Sequence, residues 1–257
     1  MRRWLKAIVI LLLTGWGLMP LSNSIAHERA GLKYGGAHVN RQMRLNIGQG
    51  MAIGLLAGFR GIVADFVWIS SHEAWEKQEW QRQYRDIEMA TTLQPQSVLF
   101  WDSGAWHMAW NIGYAVRVDT NNPTQSVGIK REREWHERAR QFLLKGIENV
   151  PNRYDLYYSL GWLYSQKFED HCRAAEMLEK ACQFKDTPPY IERLYARSLE
   201  RCGMLYESYQ AWRHIWVEEQ GIIKHPWSVV EREIKRLEDQ LNIPADQRIF
   251  PKPATKP

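Results

Sequence analysis

The feature that most restricts this chain is a spacing of small and large apolar residues that keeps helical phase from residue 64 to residue 222. It is clearest in LYYSLGWLYSQKFEDHCRAAEMLEKACQF, residues 156–184. Leu160, Gly161 and Tyr164 fall on one helical face, and Ala174, Leu178 and Ala181 on the next. Gly161 and Ala174 are small where two helices must approach closely, and Tyr157, Leu160, Tyr164 and Leu178 fill the space around them. Strand signals are nearly absent. The one short candidate is YAVRV at 114–118. The reading is therefore all-α, built from paired helices.

The pairing repeats. Pro95 and Pro151 end two such stretches, and Tyr154 opens the next. Units follow at 64–97, 98–153, 154–188 and 189–222. In the first, Ser71 and Ala74 are the close-packing positions, Trp80 marks the turn, and Ile87 and Ala90 pack from the second helix. In the last, Ala196, Gly203, Ser208, Trp212 and Ile215 take the same places. The second unit carries an insertion near 112–134, after which Ala139, Leu143 and Gly146 resume the pattern, and the third has one extra residue in its turn. This pattern resembles the tetratricopeptide (TPR) superfamily, whose helix pairs recur about every 34 residues and stack into a solenoid. Beyond the fourth unit, residues 223–243 form an amphipathic capping helix with Val229, Ile234, Leu237 and Leu241 on one face. The tail, 244–257, holds Pro244, Pro251, Pro253 and Pro257 and reads as disordered.

Two segments near the start raise the question of a membrane. MRRWLKAIVILLLTGWGLMPLSNSIA, residues 1–26, has a basic start and an apolar run, which reads as a signal-anchor or signal peptide. Either would send the rest of the chain across a membrane, facing the periplasm or cell exterior. The second apolar segment, from Gly54, contains Arg60 and Asp65. Each would cost about 2.5 to 3.5 kcal/mol at the centre of a bilayer. The repeat phase instead makes residues from Asp65 the first helix of the first unit, preceded by a linker and lead-in helix at 27–63. The block GFRGIVADFVWI, within residues 50–111, resembles membrane-anchored bacterial TPR-like proteins without assigned activity.

Composition narrows the function. Charged residues make up 25% of the chain, and the net charge of +5 is spread rather than blocked, which argues against nucleic acid as a partner. His72-Glu73 and His136-Glu137 lack the second histidine of a zinc helix, and His107 and His171 read as polar surface or packing residues rather than ligands. There is no C-x-x-C, no glycine-rich phosphate loop and no G-x-S-x-G. The expectation is no catalytic residue, no metal and no cofactor. Tryptophan is the unusual component: eleven of thirteen lie between Trp68 and Trp227.

In TPR arrays the first helix of each unit lines the concave face. Carried over position by position, the resemblance places Asp65, Trp68, His72, Trp75 and Glu76 there from the first unit. Leu99, Asp102, Trp106, Ala109 and Trp110 follow from the second, and Asp155, Tyr158, Trp162, Ser165 and Gln166 from the third. The fourth supplies Tyr190, Arg193, Arg197, Glu200 and Arg201. Of these, Trp68, His72, Trp75, Trp106, Trp110, Tyr158, Trp162, Arg193, Arg197 and Arg201 are the candidate partner-binding residues. An aromatic groove with a basic end suits an extended peptide with apolar side chains and a carboxylate. Trp68 and His72 stand where chaperone-binding TPR domains carry their carboxylate clamp, so chaperone C-termini do not fit. The function implied is a membrane-anchored extracytoplasmic scaffold holding a protein partner, in envelope assembly or transport. The alternatives are an envelope glycan-binding protein or hydrolase, or a structural subunit of a larger membrane complex.

The same register addresses the three cysteines. The second helix of one unit runs antiparallel to the first helix of the next, which brings the start of one beside the end of the other. Cys172 and Cys202 occupy those ends, so they form the expected disulfide. Cys182, about 15 Å along the helix from Cys172, is left free.

Overall fold

A computed structural model describes residues 58–219 and 229–250. The expected signal-anchor at 1–26 and the linker at 27–57 lie outside the described residues. The described residues fall into two compact units, divided between Phe100 and Trp101. Among the described residues every regular element is helical. None of these helices is long and apolar enough to cross a membrane.

The first unit is built on a helix hairpin, α1 (Arg60–Glu76) and α2 (Trp80–Leu93). Ala64, Ser71 and Ala74 are buried on α1, and Ile87, Ala90 and Leu93 on α2. Small residues on both helices, Ala64, Ser71 and Ala74 on one and Ala90 on the other, allow close packing. The turn closes through Gln78 in the left-handed region (φ 58°) and the Glu79 amide bonded to the Ala74 carbonyl at 2.8 Å. Arg60 accounts for the charge in the apolar stretch. Its Nε and Nη2 donate to the Leu93 carbonyl at 3.0 and 2.7 Å. That carbonyl ends α2 and has no donor within its own helix. Residues 60–63 are thus the first turn of α1, not part of a separate lead-in helix.

The second hairpin opens with α3 (Val98–Trp106), which continues through a π-helical stretch (His107–Ile112) into α4 (Gly113–Val118). It pairs with α5 (Gln125–Asn149). The expected strand at 114–118 is therefore helical, and the insertion lengthens both helices of one hairpin. Its alternating look has a helical explanation: Tyr114 and Val118, one turn apart, are both exposed, while Gly113 is buried. Asn122 Nδ2 caps α4 at the Val116 carbonyl, 2.8 Å away. Thr124 starts α5 by accepting from the Val127 amide.

The two extensions meet at Gly128, where a Cβ would lie 2.4 Å from the Arg117 carbonyl oxygen. Because that oxygen is backbone, no rotamer change relieves the clash. Gly128→Ala is expected to lower stability by about 1 to 3 kcal/mol, measured as a fall in the melting midpoint. An unchanged midpoint would show that these helix ends do not pack as described.

The third hairpin pairs α6 (Tyr154–Leu163), extended by a π-helical stretch (Tyr164–Phe168), with α7 (His171–Cys182). The extra turn residue read from the sequence is accommodated here: Glu169 turns left-handed (φ 53°) and the Asp170 amide donates to the Tyr164 carbonyl. Asp170 then caps α7 at the Arg173 amide. Gly161 sits against Leu178, where a Cβ would lie 2.9 Å from Leu178 Cγ. The fourth hairpin pairs α8 (Pro189–Arg201) with α9 (Leu205–Glu219), turning through Gly203 at φ 87°. Cys172 and Cys202 are disulfide-bonded with Cα atoms 4.9 Å apart, and Cys182 is a free thiol.

A capping helix, α10 (Val229–Gln240), buries Val230, Ile234 and Leu237 against Tyr209, Trp212 and Ile215 of α9. The expected disorder of the tail does not hold for residues 244–250. Ile249 and Phe250 pack on this cluster, with Phe250 edge-on to Trp216 at 5.0 Å. Buried Glu238 accepts the Ile249 amide at 2.6 Å and the Tyr209 hydroxyl at 3.2 Å. Arg248 donates to the carbonyls of Ile243 and Glu238. Residues 251–257 lie outside the described residues.

Candidate docking groove

On α3 and its π-helical continuation, Asp102, Trp106 and Trp110 are spaced four residues apart and share a face. On α6, Tyr158 and Trp162 do the same. These faces lie side by side, tied by a hydrogen bond from Ser159 Oγ to Asp102 Oδ1. Between them is a groove of about 530 Å³, lined by Asp102, Trp106, Trp110, Tyr158 and Trp162, with His107 at one side. Trp106 is 49% exposed, unlike Trp101 and Trp212, which fill the core. Its ring stands edge-on to His107 at 5.5 Å, and His107 Nδ1 is bonded to Asn111 at 2.9 Å. The ammonium of Lys167 lies 5.2 Å from the Trp110 ring.

Asp102 gives the groove its charge. Burial among the rings pushes its carboxyl above the usual range, against the Ser159 hydrogen bond, and nearby Asp155 adds repulsion. Tyr158 is pushed up to about 12, chiefly by burial and then by Tyr190. Tyr190 on α8 meets Tyr158 edge-on at 5.8 Å, which sets the start of α8 beside the groove.

Other residues expected in the groove are not among those lining this cavity. Trp68 stacks on Phe100 at 4.8 Å and packs on Ala64, Ala90 and Leu93, in the core of the first unit. His72 and Trp75 also belong to the first unit, exposed and half-buried respectively, with ring centres 5.2 Å apart. Ala109 is fully buried and lines nothing. Glu200 is held by Arg236 of α10 at 2.6 Å. Arg197 and Arg201 are exposed on α8, and Arg193 is half-buried. Ser159 is a site residue that sequence reasoning misses. The available signal is its place between Tyr158 and Trp162.

The remaining chemistry is sparse. Among the described residues no three histidines, cysteines or carboxylates converge on a metal position. Burial raises the Cys182 thiol to about 12, so it is a poor nucleophile. Buried His136 is held below the usual histidine range, first by desolvation and then by Lys167.

No protein-family model matches the chain, and no curated protein matches it. Among solved structures, TTC0263, a thermophilic TPR protein of Thermus thermophilus, aligns at 13% identity with a TM-score of 0.41. The alignment covers 76% of this chain and 95% of that one. The MamA protein aligns at 16% identity with a TM-score of 0.34, covering 67% and 98%. The fold is TPR-like. Its helix hairpins are short-turned, with Gly161, Ala174, Ala196 and Ser208 buried at close-packing positions.

Proposed function

We propose that the protein is a membrane-anchored scaffold, facing the periplasm or cell exterior, that holds an extended segment of a protein partner in envelope assembly or transport. The observation that carries this reading is the solvent-facing Trp106 beside Trp110, Tyr158 and Trp162 around one open groove. Exposed tryptophans in a concavity are the residue type on which binding energy concentrates. Arg197 and Arg201, exposed on α8, suit an acidic stretch of the same partner. The Cys172–Cys202 disulfide supports an oxidising compartment, and the apolar segment at 1–26 supports an anchor. A glycoside hydrolase would need two carboxylates flanking the scissile bond. Among the described residues lining the groove, only Asp102 is acidic.

Once a partner has been recovered from membranes, Trp106→Ala and Trp162→Ala are expected to weaken its binding by about tenfold or more each. Trp106→Ala should leave the melting curve nearly unchanged, because half of the side chain is already in water. Undiminished binding by both variants would defeat the groove assignment.

A further inference from the structure

Asp102 is an odd residue for an aromatic wall. Burying a carboxylate costs solvation unless charge or hydrogen bonds replace the lost water. Here one serine hydroxyl does so, and among the described residues no lysine or arginine pairs with Asp102. Asp155, the charged group whose repulsion acts on it, is also negative and is engaged by Arg153 at 2.9 Å. The hydrogen bond across the two helices does not require the charge, since an asparagine oxygen would accept from Ser159 as well. The surrounding indoles have negative faces and favour a cation lying over them. Trp110 already has Lys167 placed this way. A negative group without an internal counter-ion, walled by rings that favour cations, is complementary to a positive charge brought from outside.

We infer that the groove receives a basic side chain of the partner segment, arginine in preference to lysine, with Asp102 as its counter-ion and Trp106 and Trp162 as its walls. A guanidinium is flat, is weakly hydrated, stacks on aromatic faces and forks onto a carboxylate, whereas an ammonium is a compact, strongly hydrated charge. The inference rests on the docking-groove reading. It adds a charge requirement that the aromatic surface alone does not impose.

The test is to pan a random-peptide display library on the purified full-length chain, then on its Asp102→Asn and Trp106→Ala variants. Asparagine keeps the acceptor for Ser159, so the wall stays intact. The expected result is a set of peptides sharing a basic residue at one position. A synthetic member should bind about tenfold more tightly with arginine than with neutral citrulline there. In Asp102→Asn that ratio should fall close to one. Peptides that enrich without a basic residue, yet are lost in Trp106→Ala, would overturn the charge inference and leave the groove reading standing. So would an arginine preference that survives Asp102→Asn. No enrichment at all, or enrichment indifferent to Trp106→Ala, would overturn both.

Discussion

Trp212→Ala is expected to destabilise the protein by about 3 to 5 kcal/mol. Trp212 is fully buried on α9, in the cluster with Ala196, Tyr209, Ile215, Val230, Ile234 and Leu237. It therefore joins the fourth hairpin to the capping helix. Its indole N–H finds no acceptor among the described residues, so its contribution is apolar contact rather than hydrogen bonding. Removing the ring leaves a cavity between helices that cannot fully collapse. Folded domains have total stabilities of about 5 to 15 kcal/mol, so about a fifth or more would be lost. Urea unfolding monitored by circular dichroism measures the change. A loss below about 1 kcal/mol would mean that α9 and α10 do not share this core.

The paired substitution Cys172→Ser and Cys202→Ser is expected to cost about 3 to 4 kcal/mol, from the loop-closure entropy returned to the unfolded chain. The bond joins residues 30 apart, the start of α7 and the end of α8. It fixes the third hairpin to the fourth, on which the positions of Tyr158 and Tyr190 depend. Reductant should lower the stability of the native chain by a similar amount, seen as a fall in its melting midpoint, and leave the paired variant unaffected. Cys182→Ser serves as the control, since that thiol is half-buried and unbonded. If native and variant proteins melted alike, the bridge would not form in the protein as made.

The helix pairs are legible in the sequence because close-packed hairpins demand small residues at fixed places. Ser71, Ala74, Gly161, Ala174, Ala196 and Ser208 are all buried where helical phase puts them. The insertion is less legible. Gly113 and Gly128 lie in its helices, and Gly128 lets the Arg117 carbonyl approach. The order of residues 244–250 depends on buried Glu238, eleven residues before Ile249, and a local reading of a proline-rich tail gives no sign of it.

The groove is legible in part, for a geometric reason. Trp106, Tyr158 and Trp162 follow α-helical spacing and face one concavity. Ala109 falls in the π-helical stretch, whose wider turn departs from that spacing, and it points inward. Helical position alone puts Trp68 in the groove, but its ring is taken up by Phe100. That partner lies thirty-two positions along the chain, and the stacking has no sequence signature.

The most direct test of the docking role is site-specific photocrosslinking in living cells, with a photoreactive amino acid placed in turn at Trp106, at Trp162 and at the exposed Glu134 of α5. The expected result is one and the same partner polypeptide captured from positions 106 and 162, through a single extended segment, and none from position 134. Equal capture from all three positions, or no capture from the two groove positions, would contradict the account.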